Sequence, residues 1–284
     1  MTGLTGLGAL AARYNAVLSD VWGVIHNGIA PHPGAPEALV RFREAGGRVI
    51  LITNAPRAAA PIVEMLDAMG VPRAAYDGLI SSGDVTRAMI APYRGKVIHH
   101  IGPPTADDSL YEGLGVTRGP AEEAEAVVVT DLDTDDDTPE MYRARMQLWL
   151  RRRLPLICAN PDRVVEHGGR IIYCGGALAD LYEAHGGKIL MAGKPYRQIY
   201  DQALKMAETA AGRPLERSRV LAIGDSVRTD AIGAAGASID LLFITGSIHA
   251  QDFGGDGDPD PDAVASVVAP SGARLVGYAP RLAW

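Results

Sequence analysis

Cysteine is scarce in this chain. Cys158 and Cys174 are the whole complement in 284 residues, too few for a disulfide framework and without metal-site spacing. They are expected as free, partly buried thiols in a reducing compartment. Long apolar runs are missing too. None approaches the ~20 residues that span a bilayer, so no membrane span or membrane partner is expected. The opening MTGLTGLGALAARYNAVLSD has no lysine-rich start leading into a long apolar stretch. No signal peptide is expected, and a cytoplasmic location follows from that reading. Nor is there a basic excess. With 27 Lys and Arg against 34 Asp and Glu, the net charge is −7, which argues against a nucleic-acid partner or an anionic membrane surface. The three arginines at 151–153 are too short a run to change that. A small anionic substrate is still allowed, because it would feel local charges and not the net one.

What is present is alternation. Short apolar runs rich in Val and Ile occur at 16–23, 47–56, 96–104, 125–133, 154–162, 219–226 and 240–247. Each ends in polar or glycine-rich residues and most lack polar alternation, the pattern of strands buried on both faces of a parallel sheet. Helical patterns lie between them at 35–46, 59–70 and 196–212, each closed by glycine. Strand–helix alternation implies right-handed βαβ units. The expected fold is α/β: a Rossmann-like parallel sheet core with a smaller inserted α/β unit. The expected boundaries are 1–81 and 182–284 for the core and 82–181 for the insert, which has three strand candidates of its own. The acidic stretch 254–262 reads as a solvated loop, since the full EF-hand pattern is absent.

Four strand or loop ends carry chemistry: Asp20 in LSDVWG, Thr53 and Asn54 in LITNAPR, Lys194 in MAGKPY, and Asp225 with Asp230 in LAIGDSVRTDAIGAAGA. Each has a bland reading alone. Asp20 could cap a turn, Asp230 could cap the following helix, and Lys194 could be solvated. In this order they supply a carboxylate, a hydroxyl and amide, a cation and two more carboxylates.

That series resembles the hydrolases of the haloacid dehalogenase superfamily, and nearly the whole chain takes part in the resemblance. GDSVRTD (224–230) matches the Gly-Asp-x-x-x-x-Asp motif, and GKPY matches a Gly-Lys-Pro motif. The insert falls between the second and third motifs, as in class IIA, with ANPDRVV (159–165) similar to that class's Asn-Pro-Asp loop. The resemblance implies a phosphatase that cleaves a small phosphorylated metabolite through an aspartyl-phosphate on Asp20. It implies Mg²⁺ held by Asp20, Asp225 and the main-chain carbonyl of Trp22, with Asp230 acting through water or on Lys194. Thr53 and Asn54 would hold phosphoryl oxygens and Lys194 would balance charge. Asn160, Asp162 and Arg163 of the insert, with Arg57, would contact the substrate, and the insert would mediate a homodimer. Arg57, Arg163 and Arg228 have surface ion pairs as the plain alternative. The run Asp131, Asp133, Asp135, Asp136 and Asp137 reads as a solvated turn capping the next helix. Trp149, Leu148 and Leu150 on that helix read as core or inter-subunit packing.

One position departs from the motif. The superfamily's phosphatases place a second Asp two residues after the nucleophile, and this chain has Trp22. That Asp is the general acid and base. Indole can only donate a hydrogen bond, and losing such a group costs about 10²–10⁴ in rate. Three readings follow. His26 in the same loop replaces the acid, although a loop histidine bonded to backbone is the plain alternative. Or the substrate has a good leaving group. Or the protein binds or senses a phosphate ester without turning it over. A metal-free dehalogenase fits less well, because the two carboxylates of GDSVRTD would have no task.

Overall fold

A computed structural model describes residues 6–103, 108–167, 170–247, 253 and 259–284, the side chains of 166 and 167 excepted. Part of the acidic stretch, 254–258, lies outside them. The chain divides into two compact units. The first takes Met1–Thr53, Ile62–Ile80 and Lys194–Trp284, and the second takes Asn54–Pro61 and Ser81–Gly193.

The strands in chain order are β1 (Ala16–Ser19), β2 (Arg48–Thr53), β3 (Gly78–Ser81), β4 (Val97–Ile101), β5 (Thr117–Arg118), β6 (Ala126–Val129) and β7 (Leu156–Cys158). They continue as β8 (Val164–His167), β9 (Arg170–Tyr173), β10 (Ile189–Met191), β11 (Val220–Gly224), β12 (Asp240–Ile244) and β13 (Arg274–Ala279). The first unit is built on a six-stranded sheet in the order β13-β12-β11-β1-β2-β3. β1 pairs in parallel with both β2 and β11, with Ala16 opposite Arg48 and Val220. β1, β11 and β12 are buried along their whole length, which is why their sequences are mostly apolar, Ser19 and Asp240 being the polar exceptions. The strand order reverses between β1 and β11. In open α/β sheets, the crevice at the carboxyl ends of the strands on either side of such a reversal is where ligands bind.

The second unit carries a five-stranded parallel sheet, β10-β7-β6-β4-β5, and the antiparallel hairpin β8–β9. It runs on to Gly193, past the expected limit at 181, because β10 pairs with β7 (Ile189 opposite Leu156). Its core closes around Trp149, Tyr142 and Tyr182, with Leu148 and Leu150 packed at the margin. Trp149 is fully buried and meets Tyr182 edge-on at 6.0 Å. The core reading of that residue therefore holds over the inter-subunit one. Both cysteines are buried and free. Among the described residues no helix is long and apolar enough to cross a membrane.

Candidate active site

Asp20 follows β1 and Asp225 follows β11, so the pairing of these strands sets the two carboxylates side by side. Asp230 comes from one π-helical turn, Val227–Ala231, in which the Asp230 and Ala231 N–H groups both donate to the Ser226 carbonyl. Such turns are frequent at functional sites. The three carboxylates offer oxygens that all lie within 4.8 Å of one another, and all three residues are buried. Lys194 joins them. Its Nζ lies 2.6 Å from Asp20 Oδ1 and 2.8 Å from Asp230 Oδ1. Asp20 Oδ1 also accepts the Val21 N–H at 2.7 Å, and Asp230 Oδ2 accepts the Ser226 N–H at 3.2 Å. Thr53, at the end of β2, is buried as well.

The electrostatics follow from three clustered buried carboxylates, two of which share one buried cation. Burial pushes the Asp20 carboxyl well above its usual range. Lys194 opposes that shift, while Asp230 and Asp225 add to it. Burial alone would lower the Lys194 ammonium, but Asp20 and Asp230 outweigh it and hold Lys194 well above the ordinary lysine value. Tyr200, fully buried nearby, is also pushed well above its normal value by burial, with Asp230 adding.

Glycines make the close packing possible. Gly23 sits at φ +81°, and a Cβ there would lie 2.0 Å from Asp225 Oδ2. Gly23→Ala is therefore expected to cost about 1–3 kcal/mol from backbone strain alone and to displace Asp225. Denaturant unfolding measures the first effect, and metal titration of the folded variant measures the second. Gly224 is constrained in the same way by Asp230, whose Cγ would be 2.1 Å from an added Cβ.

The loop after Asp20 is tightly folded. Ile25 and His26 N–H both donate to the Val21 carbonyl, and Gly23 N–H donates to the His26 carbonyl. Trp22 is 39% exposed. Its ring covers Gly28, where a Cβ would meet it at 2.4 Å, and stands edge-on to His26 with centroids 5.3 Å apart. His26 is the residue proposed above as a substitute acid, and the structure gives it the other reading. The imidazole is buried, and its Nδ1 accepts the Gly28 N–H at 2.9 Å. Burial, with His32 adding, lowers its pKa to about 4. It is neutral at pH 7 and holds its own loop together.

The substrate-contact candidates are engaged within the second unit. Asn54 Nδ2 donates to Asp162 Oδ1 at 3.1 Å, Asn160 Nδ2 donates to Asp131 Oδ1 at 3.1 Å, and Asp162 N–H donates to Asn160 Oδ1 at 3.2 Å. Arg163 is paired with Asp180 at 2.5 Å, as the surface reading expects, while Arg57 and Arg228 are exposed. In the aspartate run, Asp133 meets Arg145, Asp136 meets Arg170, and Asp137 accepts from Thr134 and Tyr142. Among the described residues the only group of carboxylates placed to hold a metal is Asp20, Asp225 and Asp230. The sequence reading missed the packing roles of Gly23, Gly224 and Tyr200. Gly23 was open to inference, since it stands between two motif residues in a tight turn. Tyr200 looked like one more apolar position of the helix Arg197–Ala211.

The haloacid dehalogenase-like hydrolase family matches residues 17–117, and an HAD-hydrolase-like family matches residues 191–270. A haloacid dehalogenase-like hydrolase from Brucella suis is 43% identical, covers 98% of both chains and superposes with a TM-score of 0.85. The protein belongs to the haloacid dehalogenase superfamily. Within that superfamily it is 26% identical to the glycerol-3-phosphate phosphatase of Gallus gallus, over 92% of this chain and 89% of that one. A possible sugar phosphatase of the same superfamily from Cytophaga hutchinsonii shares the fold, at 20% identity, 98% coverage of both chains and a TM-score of 0.78. The Rossmann-like core with an inserted α/β unit, expected above, is the fold of this superfamily member.

Proposed function

We propose that the protein is a phosphoric monoester hydrolase of class IIA type, with Asp20 as nucleophile and Mg²⁺ as cofactor, acting on a small phosphorylated metabolite. The observation that carries this reading is the Asp20–Lys194–Asp230 chain beside Asp225, all buried at the strand reversal. The donor set suits a hard divalent cation: three carboxylates supply oxygen ligands, and one lysine does not neutralise them. When bound, Mg²⁺ supplies charge neutralisation to the phosphate and to the attacking carboxylate.

The chain's own groups then divide the work. The second Asp20 oxygen attacks phosphorus while Lys194 fixes the first at 2.6 Å. In this reading Lys194 and the Thr53 hydroxyl meet the phosphoryl oxygens, and groups fixed in advance need little reorganisation as charge develops. Asp230 keeps Lys194 in line. The class IIA reading rests on the position of the five-stranded unit between the motifs at Thr53 and Lys194.

Trp22 supports a second reading: a phosphate-ester binding protein that keeps the metal ligands and lacks the acid. Phosphate release from p-nitrophenyl phosphate with Mg²⁺, with and without chelator, separates the two. Metal-dependent release is expected. Tight binding of the ester with no release would establish the second reading instead.

A further inference from the structure

Among the described residues of the loop after Asp20, none is a carboxylic acid that could protonate what leaves. Among the described residues from Val21 to Gly34, the titratable side chains are His26 and His32. Both are buried. His26 spends Nδ1 on the Gly28 N–H. Trp22 holds the position that ordinarily carries the acid, and its ring lies on Gly28 and against His26. Lys194 is pinned between two carboxylates. The backbone is closely packed beside the cluster: a Cβ at Gly23 would lie 2.0 Å from Asp225 Oδ2.

Resting on the phosphatase reading, we propose that the site is selective for phosphate esters with a weakly basic leaving oxygen, such as aryl esters of acidic phenols. Esters of simple alcohols, glycerol 3-phosphate among them, are the disfavoured end. The bonds and protons balance without an acid. An Asp20 oxygen forms a bond to phosphorus as the P–O bond to the leaving group breaks. The electron pair departs with the leaving oxygen as a stable anion, and no proton moves in that step. Water then adds to phosphorus of the aspartyl-phosphate, the acyl P–O bond breaks, and Asp20 returns as carboxylate. The water's protons stay with the released phosphate or pass to solvent. Such a route requires a leaving group whose conjugate acid has a pKa near or below about 7, because at neutral pH no group has to meet it with a proton. The indole of Trp22 is 39% exposed, and a flat apolar ring of that kind suits an aromatic leaving group.

The test is kcat/KM of the full chain with Mg²⁺ for a graded series. It runs from nitrophenyl through chlorophenyl to phenyl phosphate, whose phenol resembles tyrosine at about 10, and ends at glycerol 3-phosphate. The missing acid predicts a steep fall along the series, by about 10²–10⁴ overall, with a solvent deuterium isotope effect near unity. Trp22→Asp is expected to flatten the series by raising the poor end. Should that variant not fold, the wild-type slope and isotope effect still decide. A flat wild-type series with a marked isotope effect would show a proton donor at work and overturn the proposal, leaving the phosphatase reading intact. No release from any ester, with binding preserved, would remove both.

Discussion

Replacing Asp20 with Asn is expected to lower phosphate release by on the order of 10⁴–10⁶-fold, the loss seen when a covalent nucleophile is removed. The amide is nearly isosteric and cannot form the acyl phosphate. The fold should tolerate it. Asp20 is buried, and burial together with the like charges of Asp230 and Asp225 makes its ionisation costly. An Asn side chain removes that charge while Lys194 keeps its 2.8 Å contact with Asp230. Thermal unfolding of Asp20→Asn should therefore match or exceed wild type in the absence of metal. Loss of activity with retained or raised stability separates a nucleophile from a structural carboxylate. Residual turnover above about one hundredth of wild type would reject the nucleophile role.

Lys194→Met is expected to give the largest loss of stability. The side chain is of similar length, but its charge is gone, and Asp20 and Asp230 face each other in a buried site without their shared cation. Breaking a buried pair by removing one partner costs roughly 3–5 kcal/mol. The pH dependence identifies the cause. The folded-state pKa of Lys194 is raised, so its contribution is complete below the unfolded lysine value of about 10.4 and is lost only as pH rises through the folded value. The folded-state pKa of Asp20 is also raised. Folded protein therefore holds that proton more tightly, and stability declines as pH rises from about 4 through the Asp20 value. In Lys194→Met the deficit should be largest at neutral pH and shrink in mild acid, where a protonated carboxyl needs no cation. In wild type, Mg²⁺ should raise Tm more at pH 7 than at pH 5, because protons and metal compete for the same oxygens. Urea or thermal unfolding across that range measures both. A Lys194→Met deficit independent of pH would mean that lost packing, not charge, explains the change.

The parts of the fold that the chain spelled out were those with one dominant physical cause. Strands buried along their length are mostly apolar, so β1, β2, β6, β7, β11 and β12 were legible as apolar runs, and the partly buried β4 was legible from Val97, Ile98 and Ile101. β3 and β10 were not: β3 opens on the half-buried Gly78, and Ile189–Met191 is only half-buried along its length. β13 escaped because its apolar residues, in RLVGYA, are broken by Gly277 and preceded by Arg274. The hairpin β8–β9 has mostly exposed or half-exposed side chains where they are described, so no burial pattern marked it. Missing β10 also misplaced the boundary of the inserted unit. In the site, the charged residues were readable because each ends a run or sits in a motif. The environment of His26 was not: whether an imidazole faces solvent or spends its nitrogen on the Gly28 N–H depends on how a loop closes. Gly23 and Tyr200 act through close approach, and residue spacing carries no record of that.

The adjacency of β1 and β11 also bears on when the protein becomes competent. Ala16 and Val220 are partners in the sheet although roughly 200 residues of chain separate them. The entropy of closing so long a loop grows only with the logarithm of its length, but pairings this distant slow folding. The five-stranded unit lies within that loop and has its own hydrophobic core. Once it forms, it shortens the chain that remains to be closed. Asp20 leaves the ribosome before Lys194, Asp225 and Asp230, so the carboxylate cluster can close only once the chain through Asp230 is available.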